Sequence, residues 1–175
     1  MATCTQYALK GFGQECQGSA SGLKRLLIGL DREWDVVPAA SGHSATISAT
    51  TTGSPVFYEY FIAEESTSLT STLNINNQNG VKYYQNVVAA TFIRMRPEKH
   101  IQMQALANEK LIILVQDSNN QYWVFDNATA TAETAQSGLA ADDLSGYQIE
   151  LSGRTPVLPY SVTQLPSIDE AQPYN

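Results

Sequence analysis

The two histidines are the side chains best suited to acid–base or metal chemistry, and neither has the neighbours that such chemistry requires. His43 lies in the small-residue run Ser41-Gly42-His43-Ser44. A serine nucleophile needs a base that is itself oriented by a third group, and the chain has no Gly-x-Ser-x-Gly turn. His100 follows Glu98 by two residues, which places the two side chains on different faces of a helix. We therefore predict no catalytic role and no metal ligation for either histidine.

The other reactive side chains do not form a recognised catalytic or cofactor motif. The adjacent acids Asp142-Asp143 lack the spaced oxygens of a calcium loop, and paired carboxylates that cleave glycosides usually come from separate elements. Gly11-Phe12-Gly13 is not followed by the lysine of a phosphate-binding loop. Cys4 and Cys16 are too few for a disulfide framework or a zinc site, and we interpret them as reduced thiols or a local bridge. We expect no enzyme activity and no cofactor.

Charge is distributed very unevenly along the 175 residues, whose formal net charge is −7. Residues 1–110 contain nine acids and nine bases, whereas residues 111–175 contain eight acids and a single base, Arg154. A net negative charge disfavours non-specific binding to nucleic acid or anionic lipid. The chain also lacks the run of about 20 apolar residues that spans a membrane, so we expect no membrane partner. The asymmetry indicates one surface exposed to a different environment from the rest.

Two charged groups are the candidate contact surfaces. The acidic group lies in the part of the chain around residues 111–153, which contain no base, and it comprises Asp126, Glu133, Asp142, Asp143 and Glu150. The basic group comprises Arg94, Arg96, Lys99 and Lys110, of which the two arginines share one face of a strand. Nucleic-acid sites usually interleave aromatic residues with the bases, and this group does not. A salt-bridge face between subunits is therefore the favoured interpretation.

Hydrophobic patterns predict a mainly β protein with one helix. Apolar runs and alternation predict strands at 22–30, 45–52, 56–62, 66–76, 81–95, 111–116, 121–125 and 146–152. Pro97 begins a stretch of good helix formers, so the sequence predicts a helix at 97–109 whose apolar stripe is Ile101, Ala105 and Leu106. The small-residue segment 126–144 is predicted as a loop of about 19 residues.

These elements define one domain with two extended ends. We predict an amino-terminal arm at 1–22, an antiparallel β-sandwich or barrel with its flanking helix at 23–154, and an extended tail at 155–175. Extended arms and a strand of about 15 residues have few contacts to make within a monomer. They are typical of subunits that reach one another in a ring.

Four segments, in chain order, carry a resemblance to a known family. They are Gly22-Leu23-Lys24-Arg25-Leu26-Leu27-Ile28 with the Gly- and Cys-containing opening before it, residues 68–81, residues 92–122, and Ser145-Gly146-Tyr147-Gln148-Ile149 with its continuation to residue 160. Together they resemble the tail-tube-type virion proteins of tailed bacteriophages, particularly those of phages and prophages of gut anaerobes. The longer Thr-rich stretch near 41–54 and the chain after Pro156 depart from that pattern.

The resemblance implies a fold, an assembly and a location. The fold is a β-sandwich or barrel with one flanking helix, and six copies form a ring whose inner sheets line a channel. The departures leave open a stacked tube or a single neck or tail ring, which can hold twelve copies. The partners are then further copies of the chain and other tail, neck or portal proteins, and the location is the virion.

A channel that passes DNA must not hold it, because Lys and Arg neutralise phosphates and create affinity. We therefore hypothesise that the acidic group faces the lumen or a ring-to-ring surface, so that DNA passes without specific binding. A second hypothesis is that residues 126–144 become ordered only against a neighbouring subunit. The competing class is a non-catalytic binding module that uses Trp34, Trp123 and tyrosines as an aromatic platform, or a capsid-decorating or fibre-anchoring protein.

Overall fold

The computed structural model describes residues 21–40, 42–62, 66–138 and 143–169, which form a mainly β fold with one helix, as the sequence predicted. The strands are β1 (Leu23–Leu30), β2 (Trp34–Pro38), β3 (Ser44–Ala49), β4 (Phe57–Tyr60), β5 (Ser68–Asn76), β6 (Val81–Ile93), β7 (Leu111–Asp117), β8 (Tyr122–Gln136), β9 (Gly146–Thr155), β10 (Tyr160–Val162) and β11 (Ile168–Asp169). The helix, α1, covers Pro97–Asn108, and a short 3₁₀ turn at Asp31–Glu33 separates β1 from β2.

Strand β8 belongs to two parts of the sheet. Its first residues pair with β7 and β10, and its residues 128–136 pair with β9. The first part has the order β11-β4-β1-β7-β8-β10-β3-β2. The second part, which we call the four-stranded part, has the order β8-β9-β6-β5 and is antiparallel throughout. Two pairs in the first part are parallel, β3 with β10 and β4 with β11, so the sheet is mixed.

Two clusters of buried side chains hold these parts together. In the larger cluster, β1 and β7 contribute Leu26, Ile28, Ile113 and Val115, the four-stranded part contributes Val88, Phe92, Tyr147, Ile149 and Leu151, and the helix contributes Met103 and Leu106. The smaller cluster uses the opposite faces of β1 and β7, with Leu27, Ile112 and Leu114 packed against Trp34, Ile47 and Phe57. Both faces of the continuous apolar run in β7 are therefore buried, each such side chain contributing about 1.5–3 kcal/mol.

The predicted helix is confirmed in position, but its predicted apolar stripe is right only at Leu106, since Ile101 and Ala105 are exposed. The helix ends at Asn108, and Ile101 is 67% exposed, whereas Met103 and Leu106 are buried. The two buried residues are three positions apart, so they share one face and reach the larger cluster beside β8. The apolar pattern did not identify the buried face because the polar and apolar residues of this helix are not segregated on opposite sides. Tertiary packing therefore decides which face of the helix is buried.

The predicted loop at 126–144 is also wrong over its first half. Strand β8 continues to Gln136, and residues 128–136 pair with β9 in a register that shifts once, between Ala130 and Ala132. The Ala- and Thr-rich sequence offers little hydrophobic alternation, so backbone pairing with β9 decides its conformation. Residues 126–136 are thus ordered within the single chain, contrary to the hypothesis that they order only against a neighbour. Residues 139–142 lie outside the described residues.

The chain ends also differ from the sequence prediction. Within the predicted tail, β10 and β11 join the sheet beside β3 and β4, and the segment between them contains one proline, Pro166. Residues 170–175 lie outside the described residues. So does the predicted arm up to residue 20, with Cys4 and Cys16.

Candidate assembly surfaces

The four-stranded part has one face that turns away from the larger cluster and carries almost no charge. Strand alternation assigns the side chains of this face, which we call the polar face. It contains Ser68, Thr70, Thr72 and Asn74 from β5, Tyr83, Gln85, Val87 and Thr91 from β6, Gln148, Glu150, Ser152 and Arg154 from β9, and Thr129, Ala132 and Thr134 from β8. Glu150 and Arg154 are its charged members.

Both charged residues of the polar face are held by neighbours. The Arg154 guanidinium lies over the Tyr83 ring, 5.4 Å from its centroid. The Thr131 hydroxyl donates a hydrogen bond to a Glu150 carboxylate oxygen at 3.2 Å. The face therefore presents hydroxyls, amides and one charge of each sign, and it has no cationic patch for a phosphate backbone.

Strand β5 is the outer edge of the four-stranded part. It pairs with β6 along its whole length, and no other strand of the described residues pairs with it. Its nine residues contain no charged residue and no proline, which are the usual protections of an exposed edge. Near the hairpin turn, Leu73, Ile75 and Val81 are 40%, 57% and 46% exposed. The hairpin end therefore presents apolar side chains beside an open edge, together with the exposed Lys82, the cross-strand partner of Ile75.

The structure does not bring the predicted acidic group onto one face. Glu150 lies on the polar face, opposite Ala132, whereas Glu133 lies opposite the buried Ile149, on the other face of the same strands. The register shift at Thr131 separates the two acids in this way. Asp126 lies in the first half of β8, ten residues before the strand ends at Gln136 near the loop that contains Asp143. Asp142 lies outside the described residues.

Asp126 instead joins acids that the sequence did not group with it. Partial burial raises the pKa of its carboxyl, and the nearby negative charges of Asp31 and Asp35 raise it further, against the lowering effect of a backbone hydrogen bond. The Asp31 carboxylate accepts a hydrogen bond from the backbone N–H of Asn127 at 3.1 Å. We call Asp31, Asp35 and Asp126 the acidic end. The Arg32–Glu109 ion pair and the exposed Lys110 lie beside it.

Three of the four predicted basic residues do come together. Arg94, Arg96 and Lys99 lie between the end of β6 and the first turn of the helix. Partial burial lowers the pKa of the Lys99 ammonium, and the charges of Arg96 and Arg94 lower it further. The Lys99 ammonium also donates a hydrogen bond to the Ile93 carbonyl. We call these three residues the basic end, where Glu98 and Asp143 are the acids nearby in the chain fold.

The fourth predicted base, Lys110, is at the opposite end of the helix. Its carbonyl accepts a hydrogen bond from the Asp31 backbone N–H at 3.0 Å, which places it beside the acidic end. The helix has 12 residues, so its axis separates the two ends by about 18 Å. Strand β9 gives a similar separation, since Gly146 pairs with Ile93 and Gly153 pairs with Ala128. The molecule thus has a basic end and an acidic end.

A buried tyrosine fixes the backbone of the basic end. The Tyr147 hydroxyl accepts a hydrogen bond from the Arg96 N–H at 3.3 Å and donates one to the Arg96 carbonyl at 3.2 Å. The Arg94 N–H donates to the Ser145 carbonyl at 2.7 Å. The sequence analysis placed Tyr147 in a strand and gave it no role, although a tyrosine buried among apolar residues usually has a partner for its hydroxyl.

Each histidine packs against a tyrosine ring. His43 Nε2 lies 3.0 Å from the carbonyl oxygens of Leu158 and Pro159, and its ring packs against Tyr160. His100 is exposed on the helix and meets the edge of the Tyr147 ring. Across the described residues, no three His, Cys, Asp or Glu side chains are grouped so that they could hold a metal ion.

The aromatic platform of the competing binding-module class is not formed by the two tryptophans. Trp34 is 7% exposed and stacks on Phe57 inside the smaller cluster. Trp123 is half-buried, and its indole N–H donates to the Asp117 carboxylate at 3.0 Å.

Comparison of the chain with protein-family models, with curated proteins and with solved structures gave no match. Within the described residues, the single helix is neither long enough nor apolar enough to cross a membrane. The assembly surfaces must therefore be interpreted from their own chemistry.

Proposed function

We propose that this protein is a structural virion protein of a tailed bacteriophage and that its copies form a ring around a channel through which DNA passes. The observation that carries the proposal is the four-stranded part, which combines an open, uncharged edge with a nearly uncharged polar face. The ring holds six or twelve copies and contacts other tail, neck or portal proteins of the virion. The chain acts without catalysis and without a cofactor.

The open edge of β5 supports the ring. The outer side of β5 is uncharged and has no strand partner among the described residues, so it is a template for pairing with another chain, and natural monomers usually block such an edge. A contact between this edge and a different surface of the next copy is heterologous, and heterologous contacts close into rings when the rotation between copies allows it. The exposed Leu73 and Ile75 at the hairpin end add apolar area to that contact.

The polar face supports passage of DNA. A wall of hydroxyls and amides, with the charges of Glu150 and Arg154 balanced, neutralises few phosphates and gives little salt-dependent affinity. This interpretation replaces the wall of acids predicted from the sequence, because Glu150 alone among the described acids of that group lies on this face. DNA slides past because the polar face has few cations to bind its phosphates. A large number of acidic side chains is not required for this.

The ring is tested by negative-stain electron microscopy and light scattering of the purified chain. We expect closed rings of uniform diameter, and Ile75→Lys should abolish them, because it replaces an apolar contact residue and places a second positive charge beside its cross-strand partner Lys82. Val37→Lys is the matched control, since Val37 is a similarly exposed apolar residue, 47% against 57%, on an edge strand of the other part. Wild-type protein that remains monomeric at high concentration, or rings that persist in Ile75→Lys, would contradict the proposal.

A further inference from the structure

We propose that Arg154 binds the phosphates of the passing DNA at one level of the channel wall, and that Tyr83, Gln85 and Thr72 complete this contact. The assignment rests on the proposed function, because the polar face must line the channel for DNA to reach Arg154. It goes beyond that function in naming the chemical group of the DNA that the wall recognises and the side chain that recognises it.

Arg154 is the one cation among the residues of the polar face. It is exposed, and it is also the only base in residues 111–175. Its guanidinium lies over the Tyr83 ring, 5.4 Å from the centroid, and among the described residues it is paired with no carboxylate. The ring restricts the position of the guanidinium without neutralising its charge. Its planar N–H donors therefore remain for an anion of matching shape, and a phosphate accepts two of them at once.

Arg154 belongs to a row of hydrogen-bond donors that crosses three strands. Thr72 on β5 is the cross-strand partner of Gln85 on β6, and Gln85 is the partner of Arg154 on β9. Directly opposite side chains lie about 5 Å apart, so the row extends about 10 Å across the face. The Gln85 amide donates a hydrogen bond to the Ser152 hydroxyl at 3.3 Å, which orients the amide and leaves its second N–H free. The row offers a hydroxyl, an amide and a guanidinium to the phosphate oxygens, and it contains no carboxylate.

The charges around the row limit where DNA is held. Glu150 lies four residues before Arg154 on the same face of β9, about 13 Å away, and Lys82 lies opposite Ile75 on the other face of the sheet. One cation per copy is no patch on a monomer, but copies that share an axis each place one guanidinium at the same level and one carboxylate at another. Rings of Arg or Lys attract phosphates in pores, whereas rings of Asp or Glu favour cations. DNA is therefore bound at a single level and still moves through the channel.

Binding of a labelled 20-base-pair duplex, measured by fluorescence anisotropy at about 50 mM NaCl, tests the role of the Arg154 charge. Arg154→Gln should weaken binding at least about tenfold. It should also make the plot of log K against log[NaCl] shallower by about two or more, because each phosphate contact contributes about 0.9 to that slope. Lys110→Gln is the matched control, since it makes the same charge change at an exposed residue off the polar face, and its binding should stay within about twofold of wild type. Equal weakening in the two variants would indicate an effect of net charge and overturn the proposal.

Two further variants test how the guanidinium is positioned. Tyr83→Leu keeps every charge but removes the ring beside Arg154, and we expect binding to weaken by about threefold. Arg154→Lys keeps the charge but loses the planar pair of donors, so its affinity should lie between those of wild type and Arg154→Gln. The Tm of Arg154→Gln should stay within about 2 °C of wild type, because the residue is exposed. Duplex binding that is unchanged in both Tyr83→Leu and Arg154→Gln would overturn the proposal.

Electron microscopy and closed circular DNA separate the role of Arg154 from the proposed function. If wild-type rings and Arg154→Gln rings bound the duplex equally well, the role of Arg154 would be overturned and the ring would remain, whereas wild-type protein without rings would overturn both. A closed circle cannot enter a preformed ring, so amine-cross-linked rings should bind a linearised plasmid and not the same plasmid as a closed circle. Equal binding of both forms would place the contact on the outer surface of the ring and overturn the proposal.

Discussion

Replacing Tyr147 with phenylalanine removes one oxygen atom from the interior and leaves the packing of the aromatic side chain intact. The tyrosine is fully buried, and its hydroxyl makes both an accepted and a donated hydrogen bond with the Arg96 backbone, at 3.3 and 3.2 Å. Each net hydrogen bond stabilises by about 0.5–1.5 kcal/mol. Both distances are longer than about 2.7–3.0 Å, which is usual for strong hydrogen bonds, and Arg96 is half-buried rather than fully buried. The lower half of the energy range therefore applies to each bond.

Tyr147→Phe should therefore lower the free energy of unfolding by about 1–2 kcal/mol. For a chain of this length that corresponds to a Tm lower by about 2–8 °C. Urea denaturation followed by circular dichroism measures the change, and the slope m should be unaltered because the exposed surface is the same. Tyr58→Phe is the matched control, since Tyr58 is 50% exposed and should change stability by less than about 0.5 kcal/mol. Equal stability of Tyr147→Phe and wild type would refute the role of the hydroxyl.

Two further predictions concern the backbone and the acidic end. A Cβ at Gly146 would lie 2.0 Å from the Phe92 carbonyl oxygen, so Gly146→Ala should destabilise by about 3 kcal/mol or more in urea denaturation. A Cβ at Gly53 would meet only the Thr51 hydroxyl, at 3.9 Å, which is an ordinary contact, so Gly53→Ala should change stability little. The raised pKa of Asp126 means that the folded state binds its proton more tightly than the unfolded state does, so this group's contribution to stability is lost as pH rises from about 3.8 through the raised value. Asp126→Asn should remove that part of the pH dependence and make the protein more stable than wild type at pH 7. The reasoning would be contradicted if wild-type stability rose through the same pH window and the Asp126→Asn substitution left that pH dependence unchanged.

The sequence predicted the fold where apolar residues are regular. Strand β7, with its continuous apolar run, and the long strand β6 were recognised because such runs have few alternatives to a buried strand. The second half of β8 was missed because alanines and threonines carry no hydrophobic period, and its strand conformation depends on β9. The strand β2 was missed for a similar reason, since it is short and, among the described strands, pairs with β3 alone.

The candidate assembly surfaces were less predictable than the fold. Arg94, Arg96 and Lys99 are close in sequence, so their proximity follows from the turn between β6 and the helix. Lys110 lies eleven residues after Lys99, and the helix of 12 residues carries it to the opposite end. The acidic end joins Asp126 to Asp31 and Asp35, about 90 residues earlier, and no sequence pattern predicts a contact that depends on where β8 crosses between the two parts.

Strand β8 pairs with strands in both parts of the sheet, and this has a consequence for how the protein unfolds. Its residues supply backbone hydrogen bonds to β7 and β10 at one end and to β9 at the other. Detaching either part leaves half of the same strand without partners, so the two parts lose their protection together. Amide hydrogen exchange along β8 should therefore report one opening event of the whole domain, with no stage at which the four-stranded part opens alone.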